Sequence, residues 1–209
     1  MIGRLLRSTT TEFLVGCRLE DVQHLPFGAL VKMPWWGALD RSGMVYGLVA
    51  WMHIPEGSMA RQVAVQPITP GILQDQRATV EPVEVRVLVV GYESQGEISH
   101  LLPPHPPEPM AAMHLCEEDE VVAFTSAGRL GYLRHVLQAG GDIPVPELLA
   151  AHLRHARLAH EARGQRDWVH RAVQRVIHLL RDDPPRLFWT LDALSDALPQ
   201  SFTLEEAVP

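Results

Sequence analysis

Val83-Glu84-Val85-Arg86-Val87-Leu88-Val89-Val90-Gly91-Tyr92 is the stretch on which the fold turns. Val83, Val85, Val87 and Val89 alternate with Glu84, Arg86, Leu88 and Val90, the period of two that a pleated strand imposes on its side chains. Valine is β-branched and packs well on a half-buried sheet surface. Glu84 and Arg86 interrupt the run, which falls far short of the roughly 18 to 20 apolar residues that a membrane-spanning helix needs. The reading is therefore a strand with one face committed to a core.

Upstream of it the chain offers more short strands separated by Gly and Pro. Arg4 to Ser8 and Thr10 to Cys17 read as a strand pair, Pro26-Phe27-Gly28 as a turn, and Ala29 to Met33 as the next strand. Asp40-Arg41-Ser42-Gly43 is a hairpin-like loop into Met44 to Met52. Residues 54–80 have no clean period and read as an insertion. Downstream, Leu101-Leu102-Pro103-Pro104-His105-Pro106-Pro107-Glu108-Pro109 must be extended, because proline fixes φ and lacks an N–H. It reads as a rigid spacer before a last strand, Met110 to Cys116, with a polyproline ligand for a partner as the alternative. Short strands with this punctuation suit a small closed barrel, since closure removes exposed sheet edges.

After Glu120 the period changes to helical. Ser126 to Ala139 reads as a helix stopped by Gly140-Gly141. Pro146 opens another that runs to Ala162, with Gly164 as its stop. Asp167 is placed to cap a third, Trp168 to Arg181, and Leu187 to Leu198 is a shorter fourth. The expected architecture is thus α+β. It comprises a β-barrel over 1–116 with the insertion at 54–80, a helical region of three to four helices over 117–200, and a tail over 201–209. In the third helix Trp168, Val169, Ala172, Val173, Val176, Ile177, Leu179 and Leu180 share one arc, while His170, Arg171, Gln174, Arg175, His178 and Arg181 share the other.

Charge follows this division. The net charge is −7, but residues 150–190 carry eight basic and four acidic side chains, a local +4. Only this part would attract a polyanion. Arg171, Arg175 and Arg181 are the candidate contacts for a partner or a nucleic acid, since arginine contacts phosphates and stacks on bases.

Catalytic patterns are missing. The lone lysine, Lys32, sits in Val-Lys-Met, so the Gly-Lys-Ser/Thr triplet of a phosphate-binding loop does not occur. Gly91-Tyr92-Glu93-Ser94-Gln95-Gly96 has the wrong spacing for a nucleophile elbow. His152, His155 and His160 lack an acid or cysteine on their arc and read as helix-seam histidines rather than metal ligands. Glu117-Glu118-Asp119-Glu120 reads as a solvated helix N-terminus. Cys17 and Cys116, 99 residues apart, read as buried free thiols. The amino terminus turns polar by Ser8 without an apolar core. The expectation is a cytoplasmic protein with no membrane segment, cofactor, metal or enzymatic activity.

The opening Ile2-Gly3-Arg4-Leu5-Leu6-Arg7-Ser8-Thr9-Thr10-Thr11-Glu12-Phe13 resembles the first strand pair of the HAS-barrel, the domain shared by HerA DNA-translocating ATPases and ATP synthases. Phe27-Gly28-Ala29-Leu30-Val31, Val45-Tyr46-Gly47-Leu48-Val49, Val85-Arg86-Val87-Leu88 and Leu102-Pro103-Pro104 follow in the family's order. Gly3 and Gly47 suit bends where strands crowd. The chain also resembles stand-alone HAS-barrel proteins of cyanobacteria, with their Ser-Thr-Thr-x-x-Phe opening, Leu-Pro-Pro-x-Pro-Pro segment and helical tail. The resemblance covers residues 1–116 and includes no motor domain. It implies a non-catalytic assembly or docking module for a HerA-type ATPase or a NurA-type nuclease in DNA end processing or repair, with homo-oligomeric ring packing as one form of assembly. The alternative is a nucleic-acid-binding protein, with DNA on the basic helix face.

Overall fold

A computed structural model describes residues 1–35, 43–54 and 82–198. The loop at Asp40–Ser42, the insertion beyond Ile54 and the acidic tail lie outside the described residues.

Among the described residues there are seven strands: β1 Gly3–Ser8, β2 Glu12–Cys17, β3 Leu30–Pro34, β4 Met44–His53, β5 Val83–Ser94, β6 Glu97–Ser99 and β7 Ala112–Leu115. All pairings are antiparallel. The order β2-β1-β7-β3-β4-β5 closes on itself because β2 also pairs with β5, giving a six-stranded barrel. β6 extends one end of β5 as a short hairpin. Its turn residues Gln95 and Gly96 have φ of 54° and 78°, the left-handed pair that a two-residue hairpin loop requires. Gly91–Gly96, whose spacing does not fit a nucleophile elbow, is the end of β5 and the turn of this hairpin.

The alternation in β5 sorts as expected. Val83, Val85, Val87 and Val89 point into the barrel with Leu5, Phe13, Val15, Val31, Met33, Val45, Val49 and Met113. A six-stranded barrel is narrow enough for such side chains to fill its interior. Leu88 and Val90 point outward with Leu30, Tyr46, Leu48 and Ala50, and are buried beneath helices. This explains why β4 and β5 are apolar on both faces. Register irregularities between Tyr46 and Gly47, and between Val49 and Trp51, bend this strand pair.

Two glycines mark close approach. A Cβ on Gly3 would lie 2.6 Å from the Gly16 carbonyl, and one on Gly47 would lie 2.4 Å from Val87 Cγ1. Cys17 and Cys116 are free and buried, and burial pushes the Cys17 thiol up to about 11.

Six α-helices are described: α1 Leu19–Val22, α2 Glu118–Ser126, α3 Leu133–Leu137, α4 Val145–Ala162, α5 Trp168–Leu180 and α6 Pro184–Ala197. α4 and α5 lie where periodicity places them. The expected helix over Ser126–Ala139 does not form as one piece. Only its first residue, Ser126, belongs to α2, which starts earlier at Glu118 with a reciprocal Glu117–Glu120 capping box. Gly128, Arg129 and Leu130 then adopt φ of 52°, 51° and 58° and reverse the chain before α3. The Asp183-Pro184-Pro185 run begins α6 as well as following α5. Its prolines fill positions that need no N–H, and Asp183 accepts from the Arg186 N–H at 3.2 Å. No described helix is long and apolar enough to cross a membrane.

Candidate functional site

The barrel and the helices meet along a histidine-rich seam. α4 lies over the β2–β3 connection, where Gly28 has φ of 78° and a Cβ would meet His152 N at 2.7 Å. His152 is buried; its Nδ1–H donates to the Gly28 carbonyl at 3.2 Å and its Nε2 accepts from the Tyr132 hydroxyl at 2.9 Å. Burial lowers its pKa to about 4, so it is held neutral. His155 reaches the Phe27 carbonyl at 3.2 Å. His160 stacks on Trp168, with centroids 4.3 Å apart, and lies 2.7 Å from both Thr125 Oγ1 and Gln165 Oε1. His152, His155 and His160 are thus occupied with separate protein partners. Among the described residues no three metal-ligating side chains converge.

The acidic run is also accounted for structurally. Glu120 joins Lys32 on β3, and Asp119 joins Arg163. Burial pushes the Glu120 carboxyl up, but hydrogen bonds from Lys32 and the Glu117 N–H outweigh it and leave the carboxyl below its usual range.

An open cleft of about 510 Å³ lies between the α2–α3 turn and α5. Arg171, Gln174, Arg175 and His178 line one wall. Their spacing of i, i+3, i+4 and i+7 puts them on one stripe of α5. Thr125, Ser126, Arg129 and Leu130 line the other wall, with Trp168 between. The Trp168 ring is fixed by the His160 stack and by a hydrogen bond from its Nε1–H to the Thr125 carbonyl at 3.4 Å.

Arg171 and Arg175 therefore share a site, and Arg181 does not. It lies past the end of α5, beside Asp182 at 3.3 Å. The cleft gains Arg129 instead, which sequence periodicity hides because it falls within a segment that reads as continuous helix. The glycines at 128 and 131 were the available sign of a break. Among the described residues no acidic side chain lines the cleft. The buried Nε of Arg175 has no hydrogen-bond partner among the described residues.

No protein-family model matches the chain, and no curated protein matches it.

Two other surfaces stand open. On the outer barrel wall, Arg4, Leu6 and Arg7 of β1 and His114 and Leu115 of β7 are exposed. On α6, Phe188 and Trp189 are 69% and 68% exposed, unusual for adjacent large aromatics.

Proposed function

We propose that this chain is a non-catalytic docking module, HAS-barrel-like over residues 1–116, that assembles with a HerA-type ATPase or a NurA-type nuclease in DNA end processing or repair. The observation that carries the reading is a closed barrel with an interior filled by side chains and an outer wall at β1 and β7 left open. A barrel whose interior is packed with side chains among the described residues offers its outer surface for binding. The segments that resemble the HAS-barrel also support the reading, because they fall on successive walls of that one barrel: β1–β2, β3, β4 and β5, with the proline run leading into β7. Phe188 and Trp189 on α6 supply a second contact surface.

Size-exclusion chromatography with multi-angle scattering tests the proposal, using the full chain alone and mixed with the ATPase or nuclease of the same organism. A ring or a mixed complex is expected, weakened by Leu6→Glu and by Trp189→Ala. A strict monomer that ignores both partners would rule it out.

A second reading, nucleic-acid binding on the basic helix face, is favoured by one observation, the arrival of Arg129 opposite Arg171 and Arg175. Its mark would be an affinity that falls steeply with added salt.

A further inference from the structure

We infer that the cleft between the α2–α3 turn and α5 binds a phosphate-bearing ligand through Arg129, Arg171 and Arg175. The inference is independent of the docking reading and narrows the nucleic-acid reading to one site.

Three observations converge on it. Three guanidinium groups from two elements line one cleft with no carboxylate among the lining residues, and among the described residues none of the three forms an ion pair. Arg129 is carried on a left-handed backbone, φ 51° and ψ 40°, a conformation that costs a non-glycine residue about 1 kcal/mol or more and tends to persist where function requires it. The volume of about 510 Å³ is that of a small-molecule site, and Ser126 and Gln174 add neutral donors to its rim.

The blander account is that the arginines merely offset the partial negative charge at the C-terminal end of α2. That end is served by a single helix dipole, and no arginine of the cleft donates to its carbonyls among the described residues. Three cations exceed what one dipole end or one carboxylate calls for. They match a phosphate dianion or a diphosphate, whose oxygens accept the paired N–H groups of guanidinium.

Isothermal titration of the full chain with inorganic pyrophosphate, adenosine diphosphate, a short single-stranded oligonucleotide and a polyglutamate peptide tests this. Pyrophosphate should bind below about 1 mM. Arg129→Gln and Arg175→Gln should each weaken it by roughly tenfold, the loss of a charge-assisted hydrogen bond, whereas Arg181→Gln should leave it unchanged. Unaltered thermal unfolding of each variant would show that the fold is intact. Tighter binding of adenosine diphosphate than of the oligonucleotide identifies a free nucleotide as the source of the phosphate, and the reverse order identifies a nucleic-acid backbone. Three results would overturn the inference: no binding of any phosphate probe, polyglutamate binding as tightly as pyrophosphate, or phosphate binding that survives both variants. An oligonucleotide retained by both variants would leave DNA binding standing at another surface while removing it from this cleft.

Discussion

Single residues decide how closely the barrel and the helices approach. Gly28 has both a left-handed φ of 78° and no room, with the Ala151 Cβ only 2.8 Å from where its own Cβ would sit. Gly164 shares the left-handed backbone, φ 73°, but has nothing within 4 Å. Gly164→Ala should therefore cost only the conformational penalty, about 1 kcal/mol. Gly28→Ala should cost that penalty plus overpacking, about 2 to 4 kcal/mol in all. Urea unfolding of the two variants measures the difference, and equal midpoints would show that the α4 contact at Gly28 is not close.

At the scale of elements, the α2–α3 turn is the unusual piece. Three consecutive left-handed residues, two of them not glycine, are held because Leu130 is buried and because Gly128 lies against the His100 ring, where a Cβ would come within 2.6 Å of Nδ1. Asparagine tolerates this backbone better than arginine does. Arg129→Asn should raise stability by about 0.5 to 1 kcal/mol in urea unfolding, while weakening the phosphate binding inferred above. A destabilised variant would mean that the Arg129 side chain contributes to the fold. The start of α6 is simpler. Asp183→Ala removes the cap on the Arg186 N–H and should cost about 1 kcal/mol by the same measurement.

For the whole molecule, the seam histidines tie stability to pH. Burial lowers the pKa of His152, to about 4, and of His160; it also lowers those of His100, which reaches the Phe124 carbonyl at 3.0 Å, and of His135 on α3, which reaches the His100 carbonyl at 2.9 Å. Each takes up its proton at lower pH in the folded chain than in the unfolded chain, where an ordinary imidazole titrates near 6.5. The unfolded state therefore binds more protons as pH falls. The stability they contribute is whole above about pH 6.5 and is lost progressively on acidification, with His152 alone accounting for ~3 kcal/mol by pH 4. Thermal unfolding midpoints should drop steadily between pH 7 and pH 4.5. A flat profile over that range would contradict neutral, buried histidines at the seam.

Period and punctuation alone determined most of the elements. The alternation of Val83 to Val89 fixed a strand and its inner face, Pro146 and Gly164 bounded α4, and the apolar arc of Trp168 to Leu180 set the buried side of α5. Those signals are local: a strand or an amphipathic helix writes its own repeat into neighbouring residues. Three things depended on contacts between distant residues. The outward burial of Leu88 and Val90 came from helices more than thirty residues downstream. The break after Ser126 came from packing of Leu130 and His100 that overrode a helical pattern. The cleft joined Arg129 to Arg171 and Arg175 and left Arg181 aside, because a shared site is set by where chain segments meet in space, and spacing along the chain does not record that.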